Sequence, residues 1–139
     1  MKEKTPDNYQ IPKALVVDDD DLQRELMTKS LEVIGLRFVT ARDAFEAYEV
    51  YLKENPDILI TDLQMPKKTG LELAVEIQKH RPDMPVILVT GSVFEKSDID
   101  RYGAVIYRTI KKPFRLEEVN RAVIEALKSK GTHFRHRSE

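Results

Sequence analysis

Four consecutive aspartates, Asp18 to Asp21, stand directly behind the apolar run Ala14-Leu15-Val16-Val17. A lone aspartate, Asp62, closes the run Ile58-Leu59-Ile60-Thr61, and Thr90 closes Pro85-Val86-Ile87-Leu88-Val89. Lys112 stands ahead of Pro113, just after the apolar stretch from Val105 to Ile110. Carboxylates, a hydroxyl and an ammonium brought to one crevice would form a site for a hard cation. Carboxylates gathered at one point repel one another and are costly unless a cation lies between them. Oxygen ligands unaccompanied by His or Cys select Mg²⁺ first and Mn²⁺ second.

Taken singly, each of these residues has an ordinary reading. Acids ahead of a helix cap it and complement its dipole, the role expected of Asp20 and Asp21. Asp62 suits a turn before Pro66, Thr90 a strand end before Gly91, and Lys112 a solvated position in Lys-Lys-Pro-Phe. Those separate readings leave unexplained why all of them would meet, and that depends on the elements that carry them.

From Lys13 onward, short apolar runs alternate with amphipathic stretches. Ala14–Val17 is expected as a buried parallel strand. Leu22, Leu26, Met27, Leu31 and Ile34 recur at helical spacing, and Gly35 stops that helix. Phe38–Thr40 is a second strand. Ala44, Ala47, Tyr48, Tyr51 and Leu52 mark a second helix closed by Asn55-Pro56. Asp57–Thr61 is a third strand ending at Asp62. Leu71, Leu73, Ala74 and Ile77 form a third helix before Pro82, and Pro85–Thr90 is the fourth strand. A short helix is expected over Phe94–Tyr102, a fifth strand over Val105–Ile110, and a last helix on Leu116, Val119, Val123, Ala126 and Leu127, stopped by Gly131. Such strict alternation gives an α/β fold, an open doubly wound parallel sheet with helices on both faces. In these sheets the ligand crevice lies beyond the carboxyl ends of the strands. Asp18, Asp19, Asp62, Thr90 and Lys112 all fall there. Their joint placement is the signal.

The 139 residues carry 23 basic and 24 acidic side chains, a net charge of −1, which supplies no general field for nucleic acid or anionic lipid. Cysteine is absent, so disulfides and thiolate metal sites are excluded. Apolar runs fall far short of the ~20 residues of a membrane helix, and the N-terminus lacks a signal-peptide core. The expectation is a cytoplasmic, non-membrane chain: an N-terminal extension over 1–12, one domain over 13–130 and a polar tail over 131–139. His133 and His136 in that tail are read as linker residues, not as a metal site.

Val16-Val17-Asp18-Asp19-Asp20, Ile60-Thr61-Asp62-Leu63-Gln64-Met65-Pro66 with Gly70, Val89-Thr90-Gly91 and Lys112-Pro113-Phe114 resemble the receiver domain of bacterial response regulators. The likeness runs from Lys13 to about Lys130. It implies a flavodoxin-like five-stranded sheet of order 2-1-3-4-5 with five helices. It implies that Asp62 accepts a phosphoryl group from a histidine kinase or histidine phosphotransfer protein. Asp18, Asp19, Asp62 and the Gln64 backbone carbonyl would hold Mg²⁺, Lys112 would pair with Asp62 and then with a phosphoryl oxygen, and Thr90 would donate to the phosphoryl group. Gly91 would leave the site open to the donor. The chemistry beyond self-phosphotransfer and autodephosphorylation would be nil, and the output would be a switched surface of the fourth helix, fifth strand and fifth helix. That surface would be read by a downstream protein or a fused output domain, by a monomer or a phosphorylation-promoted dimer. Where many receivers carry an aromatic residue three positions before the lysine, this chain has Thr109, with Tyr107 two residues earlier. Either is a candidate switch residue.

Two rival functions use the same residues. An aspartyl-nucleophile phosphohydrolase usually carries a second acid two positions after the nucleophile, where Gln64 stands. A degenerate, partner-binding receiver would lack part of the acid–lysine set, which is complete here. A dinucleotide site is disfavoured because no Gly-rich turn follows the first strand.

Overall fold

A computed structural model describes residues 11–92 and 95–131. Most of the expected N-terminal extension, Phe94 of the expected fourth helix, and the tail from 132 with His133 and His136 lie outside the described residues. The elements are β1 (Lys13–Val17), α1 (Asp21–Val33), β2 (Arg37–Ala41), α2 (Ala44–Glu54), β3 (Ile58–Asp62), α3 (Gly70–His80), β4 (Val86–Thr90), α4 (Lys96–Tyr102), β5 (Arg108–Lys111) and α5 (Leu116–Ser129). All strand pairs are parallel and the order is β2-β1-β3-β4-β5. The doubly wound α/β fold is therefore as expected from the alternation in the sequence, and the strand order is the one the resemblance implies.

Side chains alternate across the three central strands, and both faces are covered, so these strands are apolar throughout. Leu15, Val17, Leu59 and Leu88 pack under α2 and α3 on one face. Ala14, Val16, Ile58, Ile60, Ile87 and Val89 pack under α1 and α5 on the other. Between those two helices the buried Ser30 hydroxyl lies within hydrogen-bond distance of the Leu116 carbonyl, at 3.0 Å, and of the Asn120 side chain.

Local departures have local causes. Leu22 and Leu52 fit the helical period but are exposed, because α1 and α2 turn them away from the sheet. β3 begins at Ile58 and includes Asp62, while the Asp57 carboxylate accepts the Lys13 N–H at 2.8 Å. β5 starts at Arg108, three residues later than its apolar run suggests, because Val105 is held by a side chain. The Gln78 carboxamide donates to the Val105 carbonyl at 2.9 Å and to the Met84 carbonyl at 3.0 Å, and accepts the Val105 N–H at 2.9 Å. Helix α4 has no fully buried residue and is the shortest of the five. Among the described residues, no helix is long and apolar enough to cross a membrane.

Candidate functional site

The parallel register brings the carboxyl ends of β1, β3, β4 and β5 to one edge. Val17 pairs with Thr61, Asp62 with Val89, and Thr90 with Lys111, so the residues just beyond meet in one crevice. Asp18, Asp19 and Asp62 each offer a carboxylate oxygen, and these oxygens all lie within 4.8 Å of one another.

The four consecutive aspartates have four different fates. Asp18 is fully buried; its Oδ1 accepts the Asp20 N–H at 2.9 Å and its Oδ2 accepts Lys112 Nζ at 2.9 Å. Asp20 caps α1, its carboxylate accepting the Gln23 N–H at 3.1 Å. Asp21 pairs with Arg24 one turn on. Asp19 is exposed and belongs to the cluster without such a protein partner. The cap and dipole roles expected of Asp20 and Asp21 are met, which leaves Asp19 as the exposed acid of the three-carboxylate cluster. Beside it opens a cavity of about 630 Å³ lined by Arg42, Asp43, Phe45, Pro66 and Lys67, ample for an incoming side chain.

Asp62 is buried at the end of β3. Burial raises its pKa, as does the charge of Asp18, while the Lys112 ammonium and the Gln64 backbone N–H pull it back down; the upward effects win. Lys112 was expected to pair with Asp62. Its ammonium lies 3.5 Å from Asp62 Oδ2 but nearer to Asp18 Oδ2, so it bridges the two acids and favours Asp18. The geometry is simple: a single cation sits between two buried carboxylates and leans toward the one with no solvent. Burial lowers the lysine's pKa, but the hydrogen bond and charge of Asp18, followed by those of Asp62, outweigh it and leave the pKa raised. Lys112 therefore stays charged.

Thr90 is buried, and its Oγ1 accepts the Ser92 N–H at 3.0 Å. A hydroxyl that accepts through its oxygen still has its proton to donate. The Lys112 N–H donates to the Thr90 carbonyl at 2.9 Å, tying the two ends together. A Cβ added to Gly91 would meet nothing nearer than Lys112 Cβ at 3.9 Å.

Gly70 matters more than its sequence position suggested. A Cβ there would stand 2.1 Å from the Asp62 carbonyl oxygen and 2.9 Å from Thr61 Oγ1, so only glycine lets α3 start against the end of β3. The readable signal was Thr69-Gly70-Leu71-Glu72, a capping box whose two hydrogen bonds both form.

A family profile described as the response regulator receiver domain matches residues 14–124. The response regulator MprA of Mycobacterium ulcerans is 37% identical over 107 residues, which cover 76% of this chain and 45% of that protein. The chain thus spans about half the length of the curated relatives it matches. The crystal structure of the response regulator protein TrrA from Thermotoga maritima, in complex with Mg(2+)-BeF, superposes with a TM-score of 0.76 at 33% identity, covering 84% of this chain and 100% of that one. A receiver domain protein from Clostridium thermocellum does so with a TM-score of 0.75 at 29% identity, covering 87% and 98%.

Proposed function

The chain belongs to the response regulator receiver family of two-component signalling, and from that premise we propose that it accepts a phosphoryl group on Asp62 in a Mg²⁺-dependent reaction. One observation carries the reading: three carboxylates within 4.8 Å of one another, two of them bridged by one lysine, at the strand end opposite a buried threonine hydroxyl.

The donor set fits the ion. Mg²⁺ takes oxygen ligands at about 2.1 Å, so its ligand oxygens stand about 3–4 Å apart, close to the spacing of this cluster. Asp18, Asp19 and Asp62, with the Gln64 carbonyl, would hold it, and Mn²⁺ suits the same oxygens. Bound there, the ion would neutralise charge on the equatorial oxygens of the phosphoryl group.

The chain's own residues do the rest. A carboxylate oxygen of Asp62 attacks phosphorus, the bond from phosphorus to the donor's imidazole nitrogen breaks, and the nitrogen leaves with the electron pair. Lys112 turns from Asp18 toward a phosphoryl oxygen, and Thr90 donates its free proton to another. Attack of water on phosphorus later releases inorganic phosphate and restores the carboxylate. The donor is a histidine kinase or a histidine phosphotransfer protein, and the readout is the face of α4, β5 and α5, presented to a separate target or a fused output domain. A cytoplasmic setting follows from that partner.

Incubation with Mg²⁺ and acetyl phosphate, followed by mass-spectrometric mapping, tests the assignment. The expected adduct is on Asp62 and is absent from Asp62→Asn. Labelling of any other residue, or label persisting in the variant, overturns it, and turnover of small phosphate monoesters would point instead to a phosphohydrolase.

A further inference from the structure

Arg24 lies in the second turn of α1 and takes no part in the chemistry above, yet its side chain is only 16% exposed. Its guanidinium donates to the Asp18 backbone carbonyl at 2.7 Å and reaches the Asp21 carboxylate with its other nitrogen. With that bond every polar group of Asp18 is held. The Asp18 N–H donates to the Ala41 carbonyl at 3.3 Å, the carboxylate accepts Asp20 and Lys112, and the carbonyl accepts Arg24.

The Asp18 carbonyl belongs to the planar peptide unit that leads into Asp19. Pinning that oxygen sets the plane from which the Asp19 Cα departs, and so narrows the directions open to the Asp19 carboxylate. Among the described residues no hydrogen bond or ion pair aims the Asp19 side chain, the exposed member of the cluster. The arginine also brings a second cation to a run of four acids, on the side that Lys112 does not reach.

We propose that Arg24 is the positioning residue of the metal site: by holding the Asp18 carbonyl it aims Asp19 into the crevice. This rests on the reading of the acid cluster as a Mg²⁺ site. Groups that orient ligands from outside the coordination sphere typically carry about 10–100-fold in metal affinity. Arg24→Ala should therefore bind Mg²⁺ about 10–100-fold more weakly. Arg24→Lys, which keeps one charged donor for the carbonyl, should recover most of the loss. Asp21→Ala removes only the outer contact and should bind close to wild type.

The experiment is a Mg²⁺ titration of the full chain followed by NMR. The Asp18–Asp21 amides are also read for hydrogen exchange in metal-free buffer, where Arg24→Ala should exchange faster. Gln78→Ala serves as control, because it removes three hydrogen bonds at the far end of α3 and should leave Mg²⁺ affinity intact. Wild-type affinity in Arg24→Ala overturns the proposal, as does a loss that Gln78→Ala reproduces. A wild-type chain that binds no Mg²⁺ refutes the metal site itself, and the role of Arg24 with it.

Discussion

Replacing Lys112 by methionine keeps the bulk of the side chain and removes the cation that bridges Asp18 and Asp62. Its ammonium stands 2.9 Å from one carboxylate and 3.5 Å from the other, and the two acid side chains are 0% and 9% exposed. At an effective dielectric of about 20, each contact amounts to about 5 kcal/mol of direct attraction, most of it offset by desolvation. Removing one partner from a buried ion pair costs about 3–5 kcal/mol net. The lysine is itself partly exposed, so the lower end applies, about 3 kcal/mol. In a domain of this size that loss lowers Tm by about 10 °C. The effect must depend on pH. Asp62 already has a raised pKa, from burial and then from Asp18, and loss of the ammonium raises it further. An acid with a raised folded-state pKa binds its proton more readily folded than unfolded. Its contribution to stability is therefore full below the ordinary carboxylate range and is lost as pH climbs through the raised value. The variant should be nearly as stable as wild type in acid and progressively weaker toward neutrality. Magnesium ion should reverse this, since Lys112 no longer competes for Asp18, and ion at 100 times its Kd adds about 2.7 kcal/mol. Thermal unfolding followed by circular dichroism, in EDTA and in Mg²⁺ across pH 4–8, measures all of this. Equal stability of variant and wild type in EDTA at neutral pH, or no larger gain from Mg²⁺ in the variant, would refute the reasoning.

Asp62→Asn should abolish labelling by acetyl phosphate and, in EDTA, raise stability above the carboxylate range, because it removes a buried charge whose pKa is shifted upward; urea titration at acid and neutral pH shows whether the gain is confined to the neutral arm. Asp19→Ala should lose Mg²⁺ affinity with little change in metal-free stability, whereas Asp20→Ala should cost about 1 kcal/mol as a lost helix cap and still bind the ion; calorimetric titration beside urea unfolding separates the two. Gly70→Ala pushes a methyl group against the Asp62 carbonyl and should cost about 1–3 kcal/mol. Because the displaced atom belongs to the acceptor residue, that variant should also accept phosphate more slowly, as a labelling time course would show.

The three central strands were legible in the sequence because they are buried on both faces and run up to acids or a hydroxyl. Val86-Ile87-Leu88-Val89-Thr90 has no other good reading, and the site residues followed from the strand ends. What was hidden lay in side chains that bond to distant backbone. Val105 and Ile106 look like strand, but Gln78, 27 residues earlier, takes the Val105 backbone groups that a ladder would have used. The closer partner of Lys112 was also unreadable, since Asp18 and Asp62 differ in burial and not in type. Gly70 was visible only as punctuation; its closeness to Asp62 depends on where α3 docks.

Thr109 lies within β5, whereas Tyr107 stands just ahead of the strand, at a bend in the chain. Thr109 is the nearer of the two to the site, and it carries no ring. The Tyr107 ring lies instead beside the Arg108 guanidinium at 5.7 Å, and the Tyr107 N–H is committed to the Val86 carbonyl. A phosphoryl group on Asp62 would then have to act through Thr90 and Lys112, which already share a backbone hydrogen bond across β4 and the end of β5. Moving a population from almost all inactive to almost all active takes about 5 kcal/mol. One hydrogen bond to a charged group supplies about 1.5–3 kcal/mol, so neither residue suffices alone and the two together come close. On that arithmetic a phosphorylation switch would work without an aromatic at position 109, provided Thr90 and Lys112 closed on the phosphoryl group together. A Thr90→Ala chain carrying a beryllofluoride adduct should then show less than half of the wild-type NMR shifts at Val105 and Tyr107. Undiminished shifts would mean that the threonine takes no part in coupling.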